Sequence, residues 1–239
     1  MKKFLLLLVS AAFVMSVQAQ KTINDPNAEV RNVGSFHAIR VSNAIDLYIS
    51  QSGSEAVAVS ASDERYRNRI KTEVDNGVLK IWFDHDNDWK LWNTGNKKLK
   101  AYVSVRELER LTASGACDVM IDGVLRSNSL NINLSGASDL KGNIEVSTLN
   151  IDQSGASDVT ISGRTGSLKI EVSGASSFRG FDLATENCQA RASGASDIKI
   201  TVTKELNAKA SGASSIQYKG NAVIRELHSS GASSVNKRG

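Results

Sequence analysis

The pentapeptide "SGASD" occupies residues 135–139, 154–158 and 193–197, and it decides the fold of the chain. Near-copies stand at 114–118 ("SGACD") and, as "SGASS", at three further places. The seven motifs begin at Ser114, Ser135, Ser154, Ser173, Ser193, Ser211 and Ser230. These serines follow one another at spacings of 21, 19, 19, 20, 18 and 19 residues. Such a regular period indicates a repeat architecture, in which each period folds as one structural unit.

Apolar and polar residues alternate on both sides of every motif. Three residues before the first serines lie Leu111, Ile132, Ile151, Ile170, Ala190, Ala208 and Leu227. Five residues after them lie Val119, Leu140, Val159, Phe178, Ile198, Ile216 and Val235. Alternation of this kind is typical of β-strands. Further glycines recur between motifs, at Gly123, Gly142, Gly163, Gly180 and Gly220. Each period is therefore predicted to contain a strand, a corner at the motif, a second strand and a second corner.

Two all-β architectures accommodate this pattern. A period of roughly twenty residues suits one coil of a parallel β-solenoid, whose equivalent positions stack about 4.8 Å apart. An antiparallel sandwich also tolerates strands at such spacings. Repetition of side-chain identity favours the solenoid, because stacking places like residues on like. We predict a β-solenoid of about seven coils, roughly 34 Å long over the motifs.

The motif has the composition of a corner. Glycine allows a positive φ or a close approach of two backbones. A serine hydroxyl both donates and accepts, and aspartate at the fifth position favours a turn. We expect the alanine to face inward and the second serine to face solvent. Ala156→Leu is then expected to cost about 1–3 kcal/mol, and Ser157→Ala little.

A catalytic role for the motif finds no support in the sequence. A nucleophilic serine needs an adjacent base, and none of the histidines, His37, His85 and His228, recurs at a fixed offset from the motif. The G-x-S-x-G pattern is absent. The aspartates Asp118, Asp139 and Asp158 are either solvated turn residues or a row of carboxylates that binds a cation. Both interpretations stay open at this point.

The first residues resemble a secretory signal peptide. Lys2 and Lys3 precede an apolar run, and residues 17–19 match an A-x-A-like cleavage site. We predict a signal peptide over 1–19 and a flexible N-terminus over 20–29. Its removal leaves 27 basic against 25 acidic residues, a net charge of +2. Because the basic residues are scattered, a nucleic acid is not expected as partner. No later stretch is apolar enough to span a membrane.

Two further stretches extend the pattern. They are "FHAIRVSNAIDLYISQSGSEAVAVSASDE" (36–64) and "NGVLKIWF" (76–83). Together with the repeated corners they resemble the GIN domain family, the auto-transporter adhesin heads of Bacteroidota envelope proteins. The resemblance covers about residues 30–235. It implies a right-handed parallel β-helix-type fold and an adhesin-like role, and it brings no catalytic residues or cofactor.

The predicted domain, 30–236, has two sections. The N-terminal section, 30–105, lacks the SGAS period but alternates well, and Asp75-Asn76-Gly77 is a hairpin signal. We predict that its irregular β-structure begins or caps the solenoid, since repeat arrays need distinct terminal coils. The repeat section is 106–236.

Residues 81–98 carry the three tryptophans of the chain, including Trp89 and Trp92. Their acidic run resembles the start of a calcium loop but lacks its glycine and its bidentate glutamate, so no metal site is predicted. Tryptophan offers a large rigid contact area with a polar handle. The predicted ligand-binding residues are Trp89 and Trp92, with Asp86 and Asp88 as a polar rim. The alternative is that the tryptophans cover an open end of the solenoid.

Two functions follow from these features. The first is an exported, non-enzymatic envelope protein, located in the periplasm or on the outer-membrane surface, that binds an envelope glycan or a surface protein. The second is a polysaccharide lyase or hydrolase, which would require paired carboxylates or a Ca²⁺ cluster on one face. The fold alone does not supply an enzyme, so the first is preferred.

Cys117 and Cys188 are predicted not to form a disulfide with each other. Export would permit the bond. Cys117 takes the fourth motif position, however, and Cys188 takes an inward strand position more than three coils away. At the strand spacing that is roughly 15 Å, beyond the ~7 Å that a disulfide allows between Cα atoms.

Overall fold

The structure is a computed structural model that describes residues 25–84 and 97–239. The predicted signal peptide, 1–19, lies outside the described residues. The N-terminal section contains seven strands and one short helix. They are β1 (Glu29–Arg31), β2 (Ala38–Val41), β3 (Asp46–Gln51), β4 (Ala56–Ser60), α1 (Glu64–Arg67), β5 (Ile70–Asp75), β6 (Val78–Phe83) and β7 (Lys100–Val105).

The strands of the repeat section are longer. They are β8 (Arg110–Ala113), β9 (Asp118–Leu134), β10 (Asp139–Gln153), β11 (Asp158–Val172), β12 (Ser177–Ala192), β13 (Asp197–Ala210), β14 (Ser215–Lys219), β15 (Val223–Ser229) and β16 (Ser234–Lys237). Each long strand pairs in parallel with the strand of the next repeat, so that Asp139 lies opposite Asp158 and Leu149 opposite Leu168. The predicted β-solenoid of about seven turns is confirmed, and the antiparallel sandwich is excluded.

Successive coils approach one another closely at the SGAS corners. The Ala156 N–H donates to the Gly136 carbonyl at 2.8 Å, and the same bond recurs from coil to coil. Gly155 has a φ of 84°, and a Cβ added to it would lie 2.4 Å from the Gly136 oxygen. Glycine is therefore required twice here, by its φ and by the neighbouring backbone. We call the side of the solenoid formed by the stacked corners the corner edge.

The predicted orientation of the corner side chains is wrong. The second serine is buried, as at Ser138 and Ser157, whereas the motif alanines are exposed, as at Ala156. The Ser157 hydroxyl donates to the Ser154 carbonyl at 3.1 Å, and the Ser176 hydroxyl accepts from the Ser157 N–H at 3.3 Å. The buried hydroxyl thus satisfies backbone groups inside a tight turn, which alanine could not do.

A second bend lies within each of the long strands, as in β10. Val146 and Leu149 are both buried although they are three residues apart, and the ladder between β10 and β11 skips Ser147 and Gly166. Strict alternation would place one of the two apolar residues outside, so the chain changes direction between them.

The N-terminal section supplies the first coils and covers one end. β2 and β3 lie in parallel beside β8 and β9 of the repeat section, while β4 and β5 run antiparallel to the outermost coil formed by β6 and β7. The predicted hairpin at Asp75-Asn76-Gly77 is confirmed: Asp75 pairs with Val78, and Asn76 and Gly77 have positive φ. Buried residues from both sections form one continuous core.

Candidate functional site

The tryptophan-bearing segment takes the place of a corner in the outermost coil. The corner of the next coil is Ser42-Asn43-Ala44-Ile45, which is in register with the first SGAS motif. Its Ser42 N–H donates to the Ile81 carbonyl, and the Asp46 N–H donates to the Leu99 carbonyl at 2.9 Å. Residues 82–98 therefore leave the coil and return to it where the other coils form a corner. The two ends of this segment lie at the N-terminal end of the corner edge.

A shallow cleft lies at the base of this segment. Its volume is about 390 Å³, and its lining includes Trp82, Arg40, Lys80, Glu73 and the corner residue Ser42. The Trp82 side chain is half-buried and alternates with the buried Ile81 and Phe83. An aromatic side chain surrounded by charged and hydroxyl groups suits a polar ligand with one apolar face, because the ring supplies area and the polar groups supply direction.

The predicted site residues Asp86, Asp88, Trp89 and Trp92 lie outside the described residues, so their role stays a prediction. The described flanks place the two ends of their segment at the corner edge, next to Trp82. The alternative, in which the tryptophans cover an open end, also stays a prediction. The described part of that end is covered by β4 and β5.

A longer groove follows the second bend on another side of the solenoid. Its volume is about 810 Å³, and strands β9 to β13 all contribute to its lining. Because equivalent positions of neighbouring coils form its wall, the groove runs along the solenoid axis. We call it the side groove.

Three charged side chains form a ladder in the side groove. Arg126 Nε and Arg164 Nη2 each lie 3.0 Å from the same oxygen of Glu145, and the three residues are stacked in adjacent coils. Burial would raise the pKa of Glu145, but hydrogen bonds and the charges of the two guanidinium groups outweigh it and lower the pKa. Glu145 therefore stays ionised and is unsuited to act as a general acid at neutral pH.

Sequence reasoning missed this ladder, although a signal was available. Arg126, Glu145 and Arg164 each stand nine residues before the first serine of a motif. The signal is weak because the charges alternate in sign at this position, and only stacking of the coils brings them together.

A row of aspartates lies along the corner edge. Asp46, Asp118, Asp139 and Asp158 are in register across four coils. Burial and the neighbouring Asp118 raise the pKa of Asp46, and Arg179 pairs with Asp158 at 3.0 Å. Within residues 25–84 and 97–239, no group of three or more His, Cys, Asp or Glu side chains is arranged to hold a metal ion. In the same ranges, no helix has the length and hydropathy needed to cross a membrane.

Stacked parallel coils, with one corner replaced by an inserted segment and a groove along one side, define the class: a β-solenoid repeat protein. The chain matches, over residues 35–222, the family described as "Putative auto-transporter adhesin, head GIN domain". It belongs to this family, and the expected resemblance is confirmed. No curated protein matches the chain in sequence.

Solved structures share the fold. A crystal structure of a "putative adhesin" from Bacteroides fragilis has a TM-score of 0.80 and 21% identity, over 88% of this chain and 96% of that chain. A "putative lipid binding protein" from Parabacteroides distasonis has a TM-score of 0.66 and 22% identity, over 90% of this chain and 98% of that chain. A "putative adhesin" from Parabacteroides merdae has a TM-score of 0.66 and 20% identity, over 89% and 95%. At these identities the likeness concerns the fold alone.

Proposed function

We propose that the protein is an exported, non-enzymatic binding module of the cell envelope, adhesin-like in its role. It contacts an envelope glycan or a surface protein through the segment that replaces the corner of the outermost coil, with Trp89 and Trp92 as anchors and Asp86 and Asp88 as a polar rim. The N-terminal sequence pattern of a signal peptide, the family and the fold of its neighbours support this function.

The observation that carries the proposal is the replacement of a corner by residues 82–98. Every described corner of the repeat section is four small residues long and is tied to its neighbours by backbone hydrogen bonds. The segment at this place carries Trp89 and Trp92 in its sequence, and the cleft at its base is lined by Trp82. Tryptophans are over-represented among the residues that dominate binding energy.

The non-enzymatic part of the proposal rests on the chemistry of the described residues. The carboxyl group of Glu145 in the side groove is neutralised by two arginines. Because its hydrogen bonds and these charges lower its pKa, Glu145 is unsuited to be the general acid that glycoside hydrolysis needs.

The test compares Trp89→Ala and Trp92→Ala with Trp82→Ala, in the full mature chain. Binding to intact cells and to a glycan array is measured beside the melting temperature of each variant. We expect that Trp89→Ala or Trp92→Ala reduces binding at least about tenfold at an unchanged melting temperature, as for residues that anchor an interface. If both variants melt earlier and neither loses binding selectively, the tryptophans cover the end of the solenoid and the proposal fails. Turnover of a polysaccharide by the purified protein would overturn its non-enzymatic part.

A further inference from the structure

We propose that the side groove is a second binding site, and that it takes a linear acidic glycan laid along the solenoid axis, with Arg126 and Arg164 contacting its anionic groups. The proposal is independent of the tryptophan segment, because the side groove lies at the second bend, away from the corner edge.

The shape of the groove selects an extended ligand. Its lining comes from five successive coils, which at about 4.8 Å each span roughly 19 Å between the first and the last. Small residues line part of it: Ser147 and Gly166 occupy the bend of two adjacent coils, and Ala184 lies opposite Arg164 in the next coil. A flat channel of this kind holds a chain molecule and offers no deep pocket for a compact one.

The charge of the ladder favours an anionic ligand, and the other carboxylate of the lining, Glu186, is paired with Lys204 Nζ at 2.7 Å. Arg126 and Arg164 are 63% and 73% exposed, and they share the single carboxylate of Glu145, so the ladder carries a net positive charge. Each guanidinium uses one nitrogen for Glu145 and has further N–H donors directed elsewhere. The backbones of the two arginines lie two coils apart, but both guanidinium groups converge on one oxygen of Glu145, so together they can contact the same anionic group of a ligand. Glu145 holds the guanidinium groups in place before the ligand binds.

The remaining lining selects a glycan among anionic chains. It consists of hydroxyl, carboxylate and small side chains, and the described lining contains no aromatic ring on which a nucleic-acid base could stack. It also lacks an exposed large apolar side chain that would anchor a peptide. Hydroxyl groups such as those of Ser147 and Thr203, together with Glu186, are suited to the many hydroxyls of a sugar chain.

The experiment measures binding of three probes by titration calorimetry: polygalacturonate, dextran sulfate and neutral dextran. The first two differ in their anionic group, carboxylate or sulfate, and the third has none. The protein is the full mature chain, as wild type and as Arg126→Ala/Arg164→Ala. We expect wild type to bind at least one acidic probe and not dextran, with weaker binding at higher salt. The double variant should bind that probe about tenfold more weakly or worse.

A matched control separates the groove from general charge. Arg179 and Arg191 pair with Asp158 and Glu171, each one coil away, and neither lines the groove. Arg179→Ala/Arg191→Ala therefore changes the net charge by the same amount and should retain binding within about twofold, as expected for exposed ion pairs elsewhere.

A steric variant tests the position of the ligand without changing charge. Ala184 is exposed in the groove, so Ala184→Phe should fold normally and block binding. The proposal is overturned if the control double variant loses as much affinity as the groove variant, if Ala184→Phe binds like wild type, or if wild type binds neither acidic probe at millimolar concentration. Loss of binding in the groove variants together with unchanged cell attachment would leave the tryptophan segment as a separate site.

Discussion

At the corner edge, Asn43 of the N-terminal section and Gly155 of the repeat section occupy equivalent positions in their coils. Both have a positive φ, of 66° and 84°. The difference lies in what precedes them. The coil before Gly155 brings the Gly136 carbonyl within 2.4 Å of any added Cβ, whereas the coil before Asn43 has the inserted residues 82–98 in place of a corner. Asparagine is among the few non-glycine residues that adopt a positive φ, and the coil before Asn43 has no SGAS motif in its sequence.

The comparison shows that the SGAS sequence is a consequence of stacking rather than of the turn alone. A positive φ by itself accepts asparagine, and four such non-glycine residues occur among the described residues of the N-terminal section. Glycine becomes obligatory when the same turn recurs directly on top of itself. Gly115, which follows the Asn43 corner, is intermediate: a Cβ there would meet its nearest neighbour at 3.4 Å.

The largest expected effect uses this intermediate case. Gly155→Asn and Gly115→Asn place the same side chain at similar φ, 84° and 91°, but only the first collides with a backbone oxygen. We expect Gly155→Asn to lower the free energy of unfolding by about 3 kcal/mol, since overpacking adds to backbone strain. Gly115→Asn should cost no more than about 1 kcal/mol. Denaturant unfolding of both variants measures the difference, and equal costs would show that φ alone selects the glycine.

The repeat section could be predicted from the sequence because its constraint is repeated. Leu130, Leu149 and Leu168 recur at the period and stack in register in the core. The corner at Asn43 could not be recognised by its motif, because it reads Ser-Asn-Ala-Ile instead of Ser-Gly-Ala-Ser. Ser42, Asp46 and Leu47 nevertheless keep the spacing of Ser135, Asp139 and Leu140.

The inward position of the second serine could not be predicted by polarity. Serine is a polar residue that usually faces solvent. Inside the corner, however, its hydroxyl finds a carbonyl three residues back and an N–H of the adjacent coil. Only the geometry of the stacked turns reveals these partners. The side groove could not be predicted from the sequence for a related reason, because its charged residues come together only when the coils are stacked.

A smaller effect on the free energy of unfolding is expected at the buried serine and the exposed alanine of the corner, Ser157 and Ala156. Ser157→Ala removes a buried hydroxyl that donates to the Ser154 carbonyl, and it should cost about 1–2 kcal/mol. Ala156→Ser, at the exposed neighbouring position, should change the free energy of unfolding by less than about 0.5 kcal/mol. Thermal unfolding of the two variants gives the order. A larger loss for Ala156→Ser would restore the orientation expected from the sequence.

In the N-terminal section, a polar contact joins β7 to the residues that precede β1. The Tyr102 hydroxyl donates to Asp25 Oδ2 at 2.8 Å, beside a stacked ring pair of Tyr48 and Tyr102. Burial would raise the pKa of Asp25, but hydrogen bonds from Tyr102 and Ser60 outweigh it and lower the pKa. Because the folded-state pKa is lowered, this carboxylate stabilises the fold above the unfolded value of about 3.9, and the contribution disappears as the pH falls through the folded-state pKa.

Tyr102→Phe should therefore cost about 1 kcal/mol at neutral pH. Its deficit relative to wild type should shrink as the pH is lowered below about 4, since protonated Asp25 no longer forms the charge-assisted bond. Tyr48→Phe keeps the stacked rings and leaves the Asp25 bond intact, so it serves as the control. Denaturant unfolding at neutral and acidic pH measures both variants. A deficit of Tyr102→Phe that is independent of pH would mean that the hydroxyl stabilises the fold without Asp25.

The smallest expected effect concerns the two thiols, which test the register of the repeat section without changing its stability. Both are free and buried, Cys117 in the place of the second corner serine and Cys188 opposite Leu168 and Leu206. The Cys117 thiol donates to the Ser114 carbonyl at 3.3 Å, as Ser138 does to Ser135 at 3.1 Å. Burial raises the pKa of Cys188 to about 12. Because the thiolate is the reactive form, Cys188 should resist a thiol reagent in the folded protein and react only on unfolding.

Intact, unreduced protein should have the mass of two free thiols before denaturation and of two modified thiols after it. A mass two hydrogens lower would show an internal bridge between Cys117 and Cys188, which the three coils between them forbid at about 4.8 Å each, and the register would then be wrong.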